Sequence, residues 1–264
     1  MNSKEICRLC KRKSELQVSH AIGNAVFKKI SRKYSGKTIS ISNDEERINQ
    51  YSSDSWAEKQ LCKECETLLN EKYEQYGLGV LRAKVGDCII TENGVRFSNI
   101  NLHKMNMYFL SILWRMACSS HPQYKGVYIE PLAKEKLRQA LISDSQIPTC
   151  QISVKLSRLI DRTSQGGFSL TNLKEFIVSP FTRIKSSLYG QISYCLIFEG
   201  FFIEIFKPGL KSSLSVQPGV IRKSQNHISV PFIHVFDIPE LTDLMVKAYG
   251  KQLNGKTKIP MGKS

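Results

Sequence analysis

Two short cysteine pairs, Cys7-Arg8-Leu9-Cys10 and Cys62-Lys63-Glu64-Cys65, constrain this chain more than any other feature. One Cys-x-x-Cys turn can set two thiolates on two corners of a tetrahedron, and two such turns close a four-sulfur site for zinc. A closed site has no open position for water, so its Zn²⁺ holds the fold and does no chemistry. The 51 residues between the pairs (11–61) make a long gap, much of it a polar stretch. The opening, MNSKEICRLC, has no apolar segment of a signal peptide. The expected compartment is therefore the reducing cytoplasm, where paired thiols point to metal more often than to disulfides. The remaining cysteines, Cys88, Cys118, Cys150 and Cys195, sit among apolar residues and read as core thiols.

The pattern around the cysteines is α+β. Leu16, Val18 and His20 alternate with polar neighbours, as in a short strand. Ile22, Val26 and Ile30 then recur every four residues, predicting a helix over 21–33. Residues 35–56 are polar and read as an exposed excursion that orders on binding a partner. A helix is expected over 62–84, opening with the second cysteine pair and interrupted or ended by Gly77 and Gly79. Asn93-Gly94 predicts a type I′ hairpin joining 87–93 to 95–101. Residues 104–119 are apolar nearly all round, which marks a buried helix. Pro131 suits the first turn of a helix over 131–143.

From Cys150 onward strands dominate, at 152–156, 176–178 and 189–198 and then 201–206 and 228–236. Glu199-Gly200 is the clearest turn, and Pro231 suggests an edge or a bulge. A last helix is expected over 239–249, followed by a frayed cationic tail. The organisation expected is a small zinc-braced domain over 1–103 with a polar insertion at 35–56. A mixed helical and antiparallel β domain over 104–250 and a basic tail over 251–264 complete it.

The 264 residues carry a formal charge of +15, with a pI of about 9.5. Such an excess favours a polyanion, because Lys and Arg gain affinity by releasing counterions from phosphates. Nine Lys or Arg and one acid, Glu15, lie between Arg8 and Lys37. Lys28, Lys29, Arg32 and Lys33 cluster at one helix end and are the candidate nucleic-acid contacts. The longest apolar runs fall short of the roughly 20 residues a membrane span needs, so no membrane partner is expected.

A zinc knuckle, a strand, and a helix opening with the second cysteine pair follow treble-clef order. Over residues 5–75 the chain resembles the zinc-braced form of the HNH nuclease superfamily. In that family a histidine closes the first strand about ten residues after the second cysteine, and His20 lies ten after Cys10. The resemblance implies that His20 is the general base that activates water against a phosphodiester, with a catalytic Mg²⁺ or Mn²⁺ beside it. It also implies a ββα-metal fold and, in bacteria, a place in anti-phage defence or mobile elements. Three family positions differ. Ser19 stands where the family has a metal-binding Asp, Trp56–Gln60 offers no match for its asparagine, and Glu66 stands at the last motif position, often Asn or His. Glu66, just after the second pair, with Asn70 one turn on, or Glu58, would supply oxygen ligands in their place.

Three readings follow. The first is a metal-dependent nuclease acting on DNA, or RNA, through His20, Ser19, Glu66 and Asn70. The second is a non-catalytic zinc-stabilised module that binds nucleic acid or protein. In the third, residues from 104 on carry the function by binding a ligand, a protein partner or a second copy. Cys118 and His121 read as a buried thiol and a loop histidine, not a nucleophile and its base. His227 and His234, seven apart, fall on opposite faces of a strand and share no metal. No glycine-rich phosphate loop is present.

Overall fold

The computed structural model describes residues 4–33, 36–42, 44–184, 190–222 and 225–259, with the Lys33 side chain outside that description. The fold is mixed α+β, and most of it is laid around one sheet of seven strands.

At the N-terminus, β1 (Glu5–Ile6) and β2 (Lys13–Ser14) flank a turn that holds Cys7 and Cys10. The chain continues through β3 (Leu16–His20) into α1 (Asn24–Lys33). The hairpin β4 (Thr38–Ser40) and β5 (Gln50–Ser52) leads to β6 (Ala57–Cys62), which returns antiparallel to β3. From β6 the chain runs without a loop into α2 (Lys63–Leu69). A π-helical turn over Asn70–Glu74 and α3 (Gln75–Leu81) extend it. Gly77 and Gly79 therefore do not end this helix. Both are buried in it, and a Cβ on Gly77 would come within 2.2 Å of the Tyr108 ring. The glycine is what lets two helices touch at this point.

The strict alternation expected in β3 also fails. The pairing shifts register between Gln17 and Val18, so Leu16 and Ser19 point inward while Val18 is 59% exposed. The extra residue is Gln60 of β6, opposite the step from Gln17 to Val18, and such a bulge bends and twists the pair locally.

The hairpin β7 (Asp87–Thr91) and β8 (Gly94–Ser98) turns at Glu92-Asn93, one residue earlier than expected. Asn93 is not in the left-handed region, so the turn is not type I′. Gly94 serves a different need: a Cβ there would lie 2.1 Å from the Val230 carbonyl oxygen. The buried helix α4 (Leu102–Cys118) and helix α5 (Pro131–Ser143) follow.

The remaining strands are β9 (Ser153–Ile160), β10 (Val178–Ile184), β11 (Ile192–Phe198), β12 (Phe201–Lys207) and β13 (Ile228–His234). Short helices α6 (Leu170–Leu173) and α7 (Ser212–Ser215) lie among them, and α8 (Pro239–Leu253) closes the fold. The sheet order is β10-β11-β12-β9-β13-β8-β7, antiparallel except where β13 meets β9. The hairpin of residues 87–98 thus shares a sheet with strands from the C-terminal half.

Pro231 lies inside the sheet and not at an edge. It is the last β13 residue paired with β8, and the pairing with β9 begins at Phe232. A missing N–H is tolerated where the strand changes partners.

Strand β11 shows why its sequence is continuously apolar. Leu196 and Phe198 join the large core under α4, while Cys195 and Ile197 join a second core with Ile238 and Leu241 of the C-terminal segment. Successive residues of a strand buried on both faces are all apolar. The large core also reaches Cys7 and Leu9, so the cysteine turns are packed into it.

Cys88 and Cys150 are not core thiols but exposed. Cys88 lies on β7, an edge strand whose five residues are all exposed, and Cys150 lies in the turn before β9.

The polar excursion and the basic tail are both more ordered than their composition suggests, because they hold each other. Asn49 is buried and donates to the Ala248 carbonyl at 2.8 Å. Lys251, 6% exposed, donates to the carbonyls of Ser42, Asp44 and Arg47 at 2.8, 2.5 and 2.7 Å. An ammonium has three donors, and here three carbonyls meet them. Residues 260–264 of the expected tail lie outside the described residues.

Candidate functional site

The four paired cysteines converge. One ligand atom from each of Cys7, Cys10, Cys62 and Cys65 lies within 4.8 Å of the others, and the Cys10 and Cys62 sulfurs are 3.8 Å apart. A zinc tetrahedron with bonds of about 2.3 Å has sulfur–sulfur edges of about 3.8 Å, so the set fits a metal such as zinc. The local backbone is shaped for it. Lys11 closes the first turn by donating to the Cys7 carbonyl, with its own φ at +63°. The Cys62 amide donates to the Cys7 sulfur at 3.3 Å. Across the turn, Arg138 of α5 donates to the Leu9 carbonyl at 2.5 Å.

Burial alone opposes ionisation of these thiols. At Cys10 the Arg12 amide and guanidinium outweigh it and bring the thiol down to about 6, while Cys62 is pushed up to about 11 by burial. Four thiolates this close repel one another until a cation offsets them, so metal uptake releases protons.

Beside the cysteine cluster stands the group around His20. The bulge in the β3–β6 pair turns Ser19 inward, where its hydroxyl donates to Glu66 Oε2 at 2.7 Å. The residue before His20 and the residue after the second cysteine pair are thereby joined. His20 Nε2 lies 2.9 Å from Ser55 Oγ. Burial pushes this imidazole below its ordinary value, aided by the positive charges of Arg115 and Lys28 and opposed by Asp54.

Arg115, 1% exposed, organises the cluster from α4. It donates to the His20 carbonyl at 2.6 Å and to Glu74 at 3.1 Å, and lies 3.7 Å from Glu66. The expectation from sequence did not include Arg115, Glu74 or Ser55. The available signal was a single guanidinium in the mostly apolar run 107–118, a residue almost never buried unless paired.

Other expected site residues are placed elsewhere. Asn70 meets Glu66 through the helix backbone, its N–H donating to the Glu66 carbonyl, and it lines a small cleft of about 210 Å³ with Ala25, Glu74 and Arg82. Glu58 pairs with Ser19 across the strands, but its carboxylate accepts from Ser119, Ser120 and Arg8. Its oxygens are thus already committed to these donors.

Of the basic cluster, Lys28, Lys29 and Arg32 are exposed on α1. Lys29 also donates to Glu199 at 2.6 Å. Glu199 is buried in the β11–β12 turn and also receives Arg82 at 2.6 and 3.0 Å. Lys29 is therefore part of a structural ion cluster, because a buried carboxylate has to be matched. The Lys33 side chain lies outside the described residues.

Cys118 and His121 form no dyad. The thiol is pushed up by burial, and His121 faces Asp54 at 3.5 Å and accepts from the Gln123 amide.

No protein-family model, no curated protein and no solved structure matches this chain. Among the described residues, no helix is long and apolar enough to cross a membrane.

Proposed function

We propose that the chain is a metal-dependent nuclease of the HNH type, with a structural zinc on Cys7, Cys10, Cys62 and Cys65. The observation that carries this reading is the 2.7 Å contact between Ser19 and Glu66, next to His20. It is supported by the order of elements: strand β3 ending in Ser19-His20, the antiparallel strand β6, and helix α2 following at once. That order corresponds to a ββα unit braced by the cysteines, as in a treble clef.

In this reading His20 takes a proton from the attacking water at Nε2. The Ser55 hydroxyl now occupies that nitrogen, so it either yields to water or passes the proton on. Arg115 fixes the backbone of His20 and so the position of its ring. Lys28 and Arg32 hold phosphates of a DNA or RNA backbone, at the cost of salt sensitivity. A divalent ion such as Mg²⁺ or Mn²⁺ would be held by the Glu66 carboxylate and the Ser19 hydroxyl, and would offset charge developing on the phosphorane.

A second reading, a nucleic-acid-binding module without cleavage, is favoured by one observation. Arg115 already sets a positive charge between Glu66 and Glu74, where it competes with a divalent ion.

The test uses the zinc-loaded full chain with plasmid, single-stranded DNA and RNA, in Mg²⁺, Mn²⁺ or EDTA, beside His20→Ala and Glu66→Gln. Metal-dependent cleavage lost in both variants is expected. Cleavage that His20→Ala leaves intact rejects the mechanism. Salt-sensitive binding without cleavage in any metal selects the second reading.

A further inference from the structure

The His20 imidazole is the first of a row of rings. Its centroid lies 6.4 Å from that of Phe27, and Phe27 meets Trp56 edge to face at 5.1 Å. Phe27 and Trp56 also form part of the wall of a cavity of about 1180 Å³, which opens between the β4–β5 hairpin, helix α8 and residues 168–181. Two ring contacts thus join the candidate base to the cavity. The volume exceeds the roughly 300–1,000 Å³ of ordinary ligand pockets, so there is room for more than one flat ring.

The turn before β6 ties the two places together. Asp54 Oδ1 accepts from the Trp56 amide at 2.8 Å, and Trp56 lies in the left-handed region at φ +57°. A bulky residue adopts that conformation only where its surroundings impose it. Ser55 thereby reaches His20 while its neighbour Trp56 lines the cavity. Phe168 and Tyr249 lie in the same lining, and both are exposed.

Charge does not select the ligand inside. Of the acids in the lining, Glu240 is met by Arg183 at 2.6 and 2.8 Å, Asp54 faces His121 at 3.5 Å, and Glu175 is partnered as well. Glu46 shares the lining with Arg47. What the cavity offers is aromatic surface. Outside it the sign is positive. Lys28 and Arg32 are exposed on α1, the helix that gives Phe27 and Ile30 to the lining, and the Lys28 charge is felt at His20.

Cations outside and rings inside suit a single strand of nucleic acid. Bases stack on aromatic side chains whatever their sequence, while Lys and Arg follow the phosphates. A duplex keeps its bases stacked inward, and they reach a concave wall only when flipped out. We propose that this cavity receives unpaired bases of a strand whose phosphate lies at His20 and Lys28, which makes single-stranded nucleic acid the substrate class. This rests on the nucleic-acid reading of the His20 site and not on cleavage there.

The probes are a fluorescein-labelled DNA oligonucleotide, the same strand annealed to its complement, and an abasic strand of equal length. Fluorescence anisotropy on the zinc-loaded full chain, without added Mg²⁺ or Mn²⁺, should show the single strand binding roughly tenfold tighter than the duplex or the abasic strand. The double substitution Phe168→Ala with Tyr249→Ala should weaken the intact strand roughly tenfold or more and leave the abasic strand unchanged. Preference for the single strand without cleavage upholds this proposal while rejecting the nuclease. Cleavage with equal affinity for single strand and duplex does the reverse. Absence of binding, or an abasic strand bound as tightly as the intact one, overturns the proposal. Wild-type affinity in the double variant, folded by circular dichroism, does so too. Should that variant fail to fold, the abasic comparison on the wild type decides.

Discussion

The guanidinium of Arg115 lies 3.1 Å from the carboxylate of Glu74, with the Arg115 side chain 1% and the Glu74 side chain 12% exposed. One end of this pair sits in the helix that fills the core, the other in the π turn that follows the cysteine helix. The same guanidinium holds the His20 carbonyl, so a core residue fixes the end of the strand that carries the candidate base. Arg115→Ala should leave Glu74 and Glu66 facing one another without a cation. Removing one partner of a buried pair costs about 3–5 kcal/mol. Urea unfolding should show that loss, with partial recovery in Arg115→Lys. An unchanged midpoint for the alanine variant would contradict the role assigned to Arg115.

The cysteine cluster should bind about one zinc per chain, and Cys65→Ser should abolish it. Because Cys7, Cys62 and Cys65 are buried within the large core, metal loss should also loosen the packing around Leu9 and Leu61. Elemental analysis and thermal melts with and without a strong chelator provide the check. A folded protein with four free thiols and no metal would remove the basis for a structural zinc.

Gly77→Ala should destabilise the protein by about 1–3 kcal/mol, as overpacking of a core does. The added methyl meets the Tyr108 side chain at 2.2–2.8 Å, and Tyr108 is itself fully buried. Gly250→Ala, where a Cβ meets nothing within 4 Å, should be neutral or slightly stabilising. Denaturant midpoints for the two variants should therefore move in different directions or by clearly different amounts.

Glu58 gives the protein a defined acid limit. Burial works against its charge, but the hydroxyls of Ser119 and Ser120, the Ser120 amide and Arg8 outweigh it and hold the carboxyl at about 2. A group whose folded value is depressed binds more protons unfolded than folded. Its contribution is full above the ordinary carboxylate range and fades as pH falls from about 4.5 towards 2. With partial exposure discounted, the contribution is about 1–2 kcal/mol. Glu58→Gln should lower the denaturant midpoint at pH 7, and the difference from wild type should shrink towards pH 2. A difference that stays constant across that range would show that the charge is not what stabilises.

The sequence was readable where local chemistry decides the structure. Helix α5 begins at Pro131 and ends before Asp144, which adopts the left-handed conformation that stops it. The Glu199-Gly200 turn has both residues at positive φ, as a two-residue hairpin of type I′ needs. The four cysteines could be paired as a site from spacing alone. What escaped was decided by partners distant in sequence. Lys29 looked like a free phosphate contact because Glu199 is 170 residues away. Ser19 faces Glu66 through a strand bulge that no alternation pattern announces. Arg115 reaches the His20 carbonyl across 95 residues.

The ammonium of Lys251 has a consequence for the order in which the molecule can be completed. It caps carbonyls of Ser42, Asp44 and Arg47 across 204–209 residues of chain. During synthesis those carbonyls emerge 204–209 residues ahead of their partner. Contacts closing so long a loop form after local ones, so the 38–52 hairpin should reach its final position only once helix α8 has left the ribosome. Until then the hairpin lacks the helix it rests on, and α8 acts as the latch that holds it in place.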